Sequence, residues 1–307
     1  MSEPVLETTI GRIRMRNPVM VASGTFGYGP EYAGYMNLDG LGALVVKGVS
    51  EKPCEGNRTP RLVEVPGGLG NAIGLQNPGF EGFVSSYMPF LRKLKTPVIV
   101  NIWGRTLEEY ERIAARFEEV EGVAGLELNV SCPNIKEGGI AFGTDRAVLA
   151  KVVKAVRGRT TRTLIVKLSP NVTRIADFAA TAEESGADAL SLMNTYPAMV
   201  IDIETRRPVL ANVTGGLSGP AIHPIAVKLV YEAAKAVKIP VIGMGGIREA
   251  ADAIEFLIAG ARAVAVGTAN FTDPATALRV ADGIRGFLAR KKLASVSDLV
   301  GTVKVGS

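Results

Sequence analysis

The chain has 307 residues, of which 47% are hydrophobic and only 6% aromatic, and its formal net charge is +5. At about 150 residues per domain this length would predict two domains, but α/β barrels commonly fill it as one. The single histidine, His223, makes a Ser-His-Asp triad or a histidine metal site implausible. The two cysteines, Cys54 and Cys132, cannot supply a four-thiolate zinc or iron–sulfur site, and no metal site is predicted.

The same sequence features predict a compartment and exclude two classes of partner. The N-terminal segment lacks the apolar core of a signal peptide, and no run approaches about 18 uncharged apolar residues. No long block of like charge indicates nucleic-acid binding. With so few cysteines a disulfide framework is not expected. We therefore expect a soluble cytoplasmic protein with neither a membrane anchor nor a nucleic-acid partner.

Near the N-terminus, basic and apolar residues alternate. Arg12, Arg14 and Arg16 are interleaved with Ile13 and Met15. This period of two predicts a strand in a short hairpin with one basic face. The basic face is most simply solvated, and a partner contact is the alternative.

Short apolar runs rich in Val, Ile and Ala recur along the chain and predict strands that are buried on both faces. They cover residues 18–24, 41–49, 97–104, 125–132, 163–170, 189–195, 239–246 and 263–270. Amphipathic stretches that predict helices lie between them, at residues 106–121, 145–157, 173–185, 224–237, 249–259 and 274–289.

Eight strands that alternate with helices, without a linker between them, favour a single (β/α)₈ TIM barrel domain over residues 1–307. A doubly wound open sheet is the alternative. Two connections, residues 50–78 and 196–223, are too long for simple turns. Loops of this length are usually functional, and we place them at the carboxyl-terminal mouth of the barrel.

Polar side chains lie near the ends of otherwise apolar strands, where barrel enzymes place their chemistry. They are Lys47, Asn101, Asn129, Lys167 and Asn194. Each could satisfy a local backbone group, but five at one mouth favour a ligand pocket, since buried unpaired polar groups are costly. Asparagine amides match the donor and acceptor edge of an isoalloxazine or pyrimidine ring. A lysine would stabilise negative charge that develops on a reduced flavin.

Glycines after the last two strands predict a phosphate site. Gly245-Gly246 and Gly267-Thr268 lead toward the next predicted helices, whose free N–H groups and dipoles would attract a phosphate. Glycines also make ordinary turns, so each dipeptide alone is weak evidence. Two pairs at the seventh and eighth strands indicate a phosphorylated cofactor or substrate.

Cys132 is the candidate reactive group, because it follows a strand and precedes Pro133 and a Gly-rich stretch at 137–143. Without a histidine beside it, a general base that removes a carbon-bound proton is more natural than an activated nucleophile. The alternative is a small buried core residue. Cys54 is predicted to be a loop residue without a role, and His223 a capping or solvent-facing residue.

Several segments in order resemble the class 1 dihydroorotate dehydrogenases, and most closely the class 1B catalytic subunit. The matching segments are ASGTFGYG at 22–29, residues 46–48, GNRTPR at 56–61, NAIGLQNPG at 71–79, ELNVSCPN at 127–134, VKLSPNV at 166–172, residues 194–195 and TGGLSGPAI at 214–222. The resemblance covers nearly the whole chain.

The resemblance implies an FMN enzyme that oxidises dihydroorotate to orotate in pyrimidine biosynthesis. Cys132 matches the base that takes the proton from carbon 5 while hydride leaves carbon 6 for the flavin. The implied substrate-binding residues are Lys47, Asn71, Ala72, Ile73, Gly74, Leu75, Asn129, Asn134, Asn194 and Thr195. The implied FMN-binding residues are Ser23, Lys47, Gly48, Asn101, Asn129, Lys167, Met193, Gly219, Gly245, Gly246, Gly267 and Thr268.

The class 1B resemblance implies a partner subunit that carries FAD and a 2Fe–2S cluster and passes electrons to NAD. It also implies a homodimeric core within a heterotetramer. Class 2 members usually have a membrane-associating N-terminal segment and a serine base, and class 1A members tend to differ at Ile73 and Gln76. Trp103 departs from the family pattern, because a small residue is expected there; core filling is the simplest interpretation, and a flavin-edge or interface position is the alternative.

Two other functions remain open from sequence. The related dihydropyrimidine dehydrogenase module also has a cysteine beside a proline, but it typically has histidine where this chain has Asn134. A flavin-free phosphate-binding barrel usually places carboxylates at its strand ends, whereas amides and lysines stand there in this chain.

Overall fold

A computed structural model describes residues 3–130 and 142–306. Within them, eight parallel strands pair in chain order and close into a barrel. The barrel strands are Val19–Val21, Ala43–Val49, Val98–Ile102, Val123–Asn129, Thr163–Lys167, Ala189–Leu192, Val241–Met244 and Ala263–Val266. The first strand pairs with the eighth, which confirms the closed barrel and excludes the open sheet.

Helices lie outside the barrel and pack against it through one apolar face. The α-helices are Gly79–Ser86, Met88–Leu91, Leu107–Glu118, Arg146–Arg157, Ile175–Glu184, His223–Ala236, Ala250–Ala259, Ala269–Thr272 and Thr276–Lys291. Short 3₁₀ turns cover Pro30–Tyr32, Leu38–Gly40, Pro220–Ile222 and Val296–Leu299. All six predicted helices are present, each within three residues of its predicted ends, whereas the helix at Gly79–Ser86 was not predicted.

The helix at Leu107–Glu118 shows why these segments are helical. Tyr110, Ile113 and Phe117 recur at helical spacing and are all buried. The Thr106 side chain caps the first turn by accepting a hydrogen bond of 3.3 Å from the Glu109 amide. Burial of this stripe against the strands, rather than helix propensity, holds the helix in place.

The N-terminal hairpin of Thr8–Ile10 and Ile13–Met15 packs against the inside of the barrel. Ile10, Ile13 and Met15 are buried in one cluster with inward-facing residues of the strands. The predicted hairpin is thus confirmed, and its arginines at 12, 14 and 16 are exposed. Its apolar side meets the amino-terminal end of the barrel, where the strand interior is also apolar.

The two long connections contain strands that the sequence did not reveal. Leu62–Val65 and Gly68–Asn71 come from the first, and Tyr196–Ala198 and Gly215–Ser218 from the second. They form one four-stranded antiparallel sheet, in which Asn71 pairs with Gly216. We call it the mouth sheet, because its residues and the barrel strand ends line the same cavity. A small hairpin at Ile201–Asp202 and Arg207–Pro208 extends from the second connection.

No helix in the described part of the chain is long and apolar enough to cross a membrane.

Candidate active site

A cavity of about 400 Å³ lies between the carboxyl ends of the barrel strands and the mouth sheet. We call it the inner cavity. Twelve of the residues predicted for substrate or cofactor binding line it: Ser23, Lys47, Gly48, Asn71, Ile73, Gly74, Leu75, Asn101, Asn129, Lys167, Asn194 and Thr195. The structure therefore gathers side chains from six barrel strands or their ends and from the first long connection around one space.

The side of the inner cavity that faces the barrel interior carries a hydrogen-bond network. Lys167 Nζ donates to Ser23 Oγ over 3.1 Å, and Asn101 Nδ2 donates to the same oxygen over 3.3 Å. Asn101 Nδ2 also donates to Glu127 Oε1 over 2.6 Å. Glu127 is buried, and sequence reasoning did not single it out. A carboxylate thus lies just below the amides and lysines of the mouth.

The opposite side of the inner cavity comes from the mouth sheet and the first long connection. Asn71 Nδ2 donates to the Gly216 carbonyl over 3.2 Å, which links the two halves of the mouth sheet at the cavity. Leu75 has a φ of +58°, a left-handed conformation that is uncommon for a side chain of this size. Such strain is typical of residues held in place at ligand sites.

Two cations stand close together in the inner cavity. Burial lowers the pKa of Lys47, and the nearby positive charge of Arg61 lowers it further. Arg61 lines the cavity and donates to Gln76 Oε1 over 2.6 Å, which holds its guanidinium beside the lysine. This pair gives the cavity a positive wall that suits a carboxylate-bearing ligand.

A second cavity of about 640 Å³ adjoins the first, and Leu69 and Phe271 line both. We call it the outer cavity. Three predicted cofactor residues, Gly219, Gly246 and Thr268, line it. Arg248 and Arg279 add positive charge to its wall. Glu64 and Asp273 line the same cavity, and Asp273 pairs with Arg279, so its wall carries charges of both signs. The two cavities together form one extended site with a polar end and a glycine-lined end.

Gly246 shows why glycine stands after the seventh strand. Its φ is +70°, and a Cβ there would lie 2.7 Å from the His223 Cβ and 2.9 Å from the Gly219 carbonyl oxygen. Gly245 O lies 2.9 Å from His223 Nδ1, and Nε2 lies 3.3 Å from a Glu255 carboxylate oxygen. His223 was predicted to be a capping or solvent-facing residue; its side chain is 12% exposed and contacts the Gly245 carbonyl, so it is not solvent-facing.

The helix N-termini near the outer cavity differ from the predicted phosphate site. The Arg248 and Glu249 amides both donate to the Asp252 carboxylate, over 2.8 and 3.2 Å. A capping box therefore forms at the start of the Ala250–Ala259 helix, and Asp252 takes up the amides of Arg248 and Glu249 just before it. After the eighth strand, the short helix Ala269–Thr272 precedes the predicted one.

Some predicted residues lie elsewhere. Four described residues line neither cavity: Ala72, Met193, Gly245 and Gly267. They are neighbours of residues that do, and the Ala72 amide donates to the Arg61 carbonyl over 2.9 Å, which supports the cavity wall. Cys132 and Asn134 lie outside the described residues, as does most of the stretch at 137–143.

Sequence reasoning missed other residues that line the cavities. Arg61 belongs to the GNRTPR segment that matches the family, but it was not predicted to bind a ligand. Ser218 and Phe271 were not predicted to line a cavity either. Ser218 Oγ accepts from Thr268 Oγ1 over 2.8 Å, so the mouth sheet contacts the end of the eighth strand there. Trp103 is buried, 3.2 Å from where a Cβ on Gly48 would lie, so it fills the core behind the cavity wall.

Comparisons with known proteins identify relatives of this chain. A family model described as dihydroorotate dehydrogenase matches residues 5–288. A dihydroorotate dehydrogenase B (NAD(+)) catalytic subunit from Citrifermentans bemidjiense is 55% identical over 305 residues, covering 99% of this chain and 100% of that protein. A protein with the same name from Trichlorobacter lovleyi is 55% identical over 302 residues, covering 98% and 99%.

A solved structure has the same fold. The crystal structure of DHODH from Eimeria tenella in complex with ferulenol has a TM-score of 0.80 and covers 98% of this chain and 89% of its own. At 24% identity this similarity shows the fold alone.

Proposed function

The chain belongs to the dihydroorotate dehydrogenase family, and on this premise we propose that it oxidises dihydroorotate to orotate in pyrimidine biosynthesis, with FMN bound in its barrel. The observation that carries the proposal is the inner cavity, where asparagine amides, Lys47 and Lys167 surround one space. In this proposal residues 1–307 form one FMN-binding domain, and the predicted site residues are its substrate and cofactor contacts.

The two cavities fit FMN, with its ring in the inner cavity and its phosphate in the outer one. Ser23, Asn101 and Lys167 would hold the ring edge, and the turn at Gly246 would hold the phosphate, because it lines the outer cavity. Arg248 and Arg279, which already pair with Asp252 and Asp273, line the same cavity and would donate to the phosphate. Bound FMN supplies the acceptor for the hydride that leaves carbon 6 of the substrate.

The chain's own residues bind the substrate and move one proton. The C–H bond at carbon 5 breaks, its electrons form the new ring double bond, and the proton passes to the Cys132 thiolate. An ordinary thiol pKa of about 8.5 leaves some thiolate near neutrality. Asn71, Asn194 and Lys47 orient the pyrimidine, since amides supply both donors and acceptors and the ammonium pairs with the substrate carboxylate.

The electron acceptor lies beyond this chain. The relatives at 55% identity are named as NAD(+)-linked catalytic subunits, and that name implies a further subunit in those proteins. We propose the same organisation here: a cytoplasmic homodimeric core with a partner subunit that carries FAD and a 2Fe–2S cluster and delivers electrons to NAD.

Anaerobic absorbance of the purified chain tests the proposal. After incubation with FMN and removal of the excess, dihydroorotate should bleach the band at ~450 nm without any partner. Dihydrouracil is the control, because it has the ring but lacks the carboxylate. Bleaching by dihydrouracil alone would point to a dihydropyrimidine dehydrogenase reaction, and a chain that takes up no FMN would contradict the flavin proposal.

A further inference from the structure

Glu127 is a buried carboxylate at the centre of the barrel, directly beneath the inner cavity. It is 2% exposed and stands on the inner face of the fourth barrel strand. Its Oε1 accepts from Asn101 Nδ2 over 2.6 Å, and its Oε2 from Ser191 Oγ over 2.9 Å. Lys167 Nζ lies 3.9 Å from Oε1. One carboxylate therefore connects the third, fourth, fifth and sixth strands.

The hydrogen bonds above Glu127 fix the orientation of the Asn101 amide and of the Ser23 hydroxyl. Asn101 Nδ2 has two hydrogens, and they go to Glu127 and to Ser23 Oγ. Asn101 Oδ1 therefore faces the other way, and it would lie 2.9 Å from a Cβ on Gly48 at the cavity wall. Ser23 Oγ accepts from both Asn101 and Lys167, which uses both of its lone pairs. Its own hydrogen is left to donate to a ligand in the inner cavity.

The buried charges of Lys167 and Glu127 lie next to each other. The Lys167 side chain is 6% exposed and that of Glu127 is 2% exposed, so neither charge is solvated by bulk water. A buried ammonium without a counter-charge would be costly, and Glu127 supplies that charge from below while the cavity lies above. The pair leaves the base of the cavity close to neutral, although Lys167 still donates toward it.

We propose that Glu127 is a positioning residue that fixes Asn101, Ser23 and Lys167 as an ordered donor set and offsets the charge of Lys167. The reduced flavin ring carries more negative charge than the oxidised ring, so a positive Lys167 favours binding of the reduced form. By offsetting the charge of Lys167, Glu127 reduces the difference in affinity between reduced and oxidised FMN. This inference rests on the proposed function. It concerns a residue that contacts other side chains of the site rather than the ligand.

Glu127→Gln tests the charge. Glutamine has the same shape, can accept from Asn101 through Oε1 and can donate to Ser191 through Nε2, so the packing is kept while the charge is lost. Dissociation constants for oxidised and reduced FMN are measured on the same apoprotein by fluorescence quenching and anaerobic titration. We expect the ratio of the two constants to shift about tenfold in favour of reduced FMN, which is ~30 mV for a two-electron couple.

Two further variants separate charge from structure. Ser191→Ala removes the hydrogen bond to Glu127 Oε2 but keeps the carboxylate. It should lower the melting temperature and leave the ratio of the dissociation constants for oxidised and reduced FMN unchanged. Glu127→Asp keeps the charge but shortens its reach, so both forms of FMN should bind several-fold more weakly with an unchanged ratio. If Glu127→Gln fails to fold, Glu127→Asp still tests the positioning role.

The outcomes distinguish this inference from the function on which it rests. A native ratio in Glu127→Gln, or native FMN affinity in Glu127→Asp, overturns the role of Glu127 while the unmodified chain still binds FMN and is bleached by dihydroorotate. An equal shift of the ratio in Ser191→Ala would assign the effect to packing and also overturn it. An unmodified chain that binds no FMN overturns the proposed function as well.

Discussion

Gly246→Ala is expected to lower both stability and FMN affinity, and its cost can be worked out from the turn itself. At a φ of +70° the left-handed conformation of an alanine lowers the free energy of unfolding by about 1–2 kcal/mol. Its Cβ would lie 2.7 Å from the His223 Cβ and 2.9 Å from the Gly219 carbonyl oxygen, and such overpacking costs roughly 1–3 kcal/mol more. The melting temperature should therefore fall by several degrees.

Relief of that overlap requires the turn to move, and the turn lines the outer cavity. We expect the dissociation constant for FMN to rise at least about tenfold, which corresponds to ~1.4 kcal/mol. The assay is quenching of FMN fluorescence on titration with apoprotein, together with a thermal melt of the same preparation.

Two glycines elsewhere provide matched controls. Gly301 has a φ of +71° with open space around it, so Gly301→Ala carries the backbone cost alone and should leave FMN affinity unchanged. Gly286 lies inside the Thr276–Lys291 helix, also with open space, and Gly286→Ala should raise stability by about 0.5–1 kcal/mol. Native FMN affinity in Gly246→Ala, with Gly301→Ala destabilised as expected, would refute the assignment of the turn to cofactor binding.

Three further outcomes are expected. Cys132→Ala should keep FMN bound but slow its reduction by dihydroorotate at least ~100-fold in anaerobic stopped-flow, and unchanged kinetics would remove the thiol from the mechanism. Lys167→Ala should weaken FMN binding and lower the melting temperature because Glu127 loses its counter-charge; a variant with native FMN content and native melting would contradict this. Burial raises the pKa of Glu118, but hydrogen bonds from Thr160 and Thr161 outweigh it and lower the pKa to about 2. Because the folded-state pKa is depressed, this stabilisation is complete above the ordinary value near 4.5 and is lost as the pH falls toward 2, so the difference in melting temperature between the native chain and Glu118→Gln should shrink over that range. A constant difference would show that Glu118 does not contribute in this way.

The barrel could be predicted because its strands are buried on both faces. Near-continuous apolar sequence is the direct result of that burial, and the runs at 18–24 and 263–270 contain Val19–Val21 and Ala263–Val266. The fourth strand begins at Val123, two residues before the predicted start at Gly125. The prediction was late because a glycine usually indicates the end of a strand, whereas Gly125 lies within this one.

The mouth sheet could not be predicted in the same way. Its central strands are Gly68–Asn71 and Gly215–Ser218, whose glycines have low strand propensity and indicate turns. What makes them strands is their pairing with each other, across about 145 residues of intervening chain. Local sequence contains no signal for such a partner.

Glu127 was missed for a different reason, and a signal for it did exist. The other polar candidates stand at strand ends, whereas Glu127 lies between Leu126 and Leu128 in the middle of an apolar run. Side chains alternate along a strand, so Asn129 and Glu127 face the same side. Once Asn129 is placed inside the barrel, the same reasoning places Glu127 there too.

The long-range pairing of the mouth sheet also orders events during synthesis. Asn71 is synthesised 145 residues before Gly216, so the early hairpin of Leu62–Val65 and Gly68–Asn71 lacks the other half of the sheet while that stretch is made. The inner cavity gains its cover only after residue 218 has emerged, and the barrel closes only with the strand Ala263–Val266. A nascent chain that stops before that strand therefore has no closed barrel beneath the inner cavity.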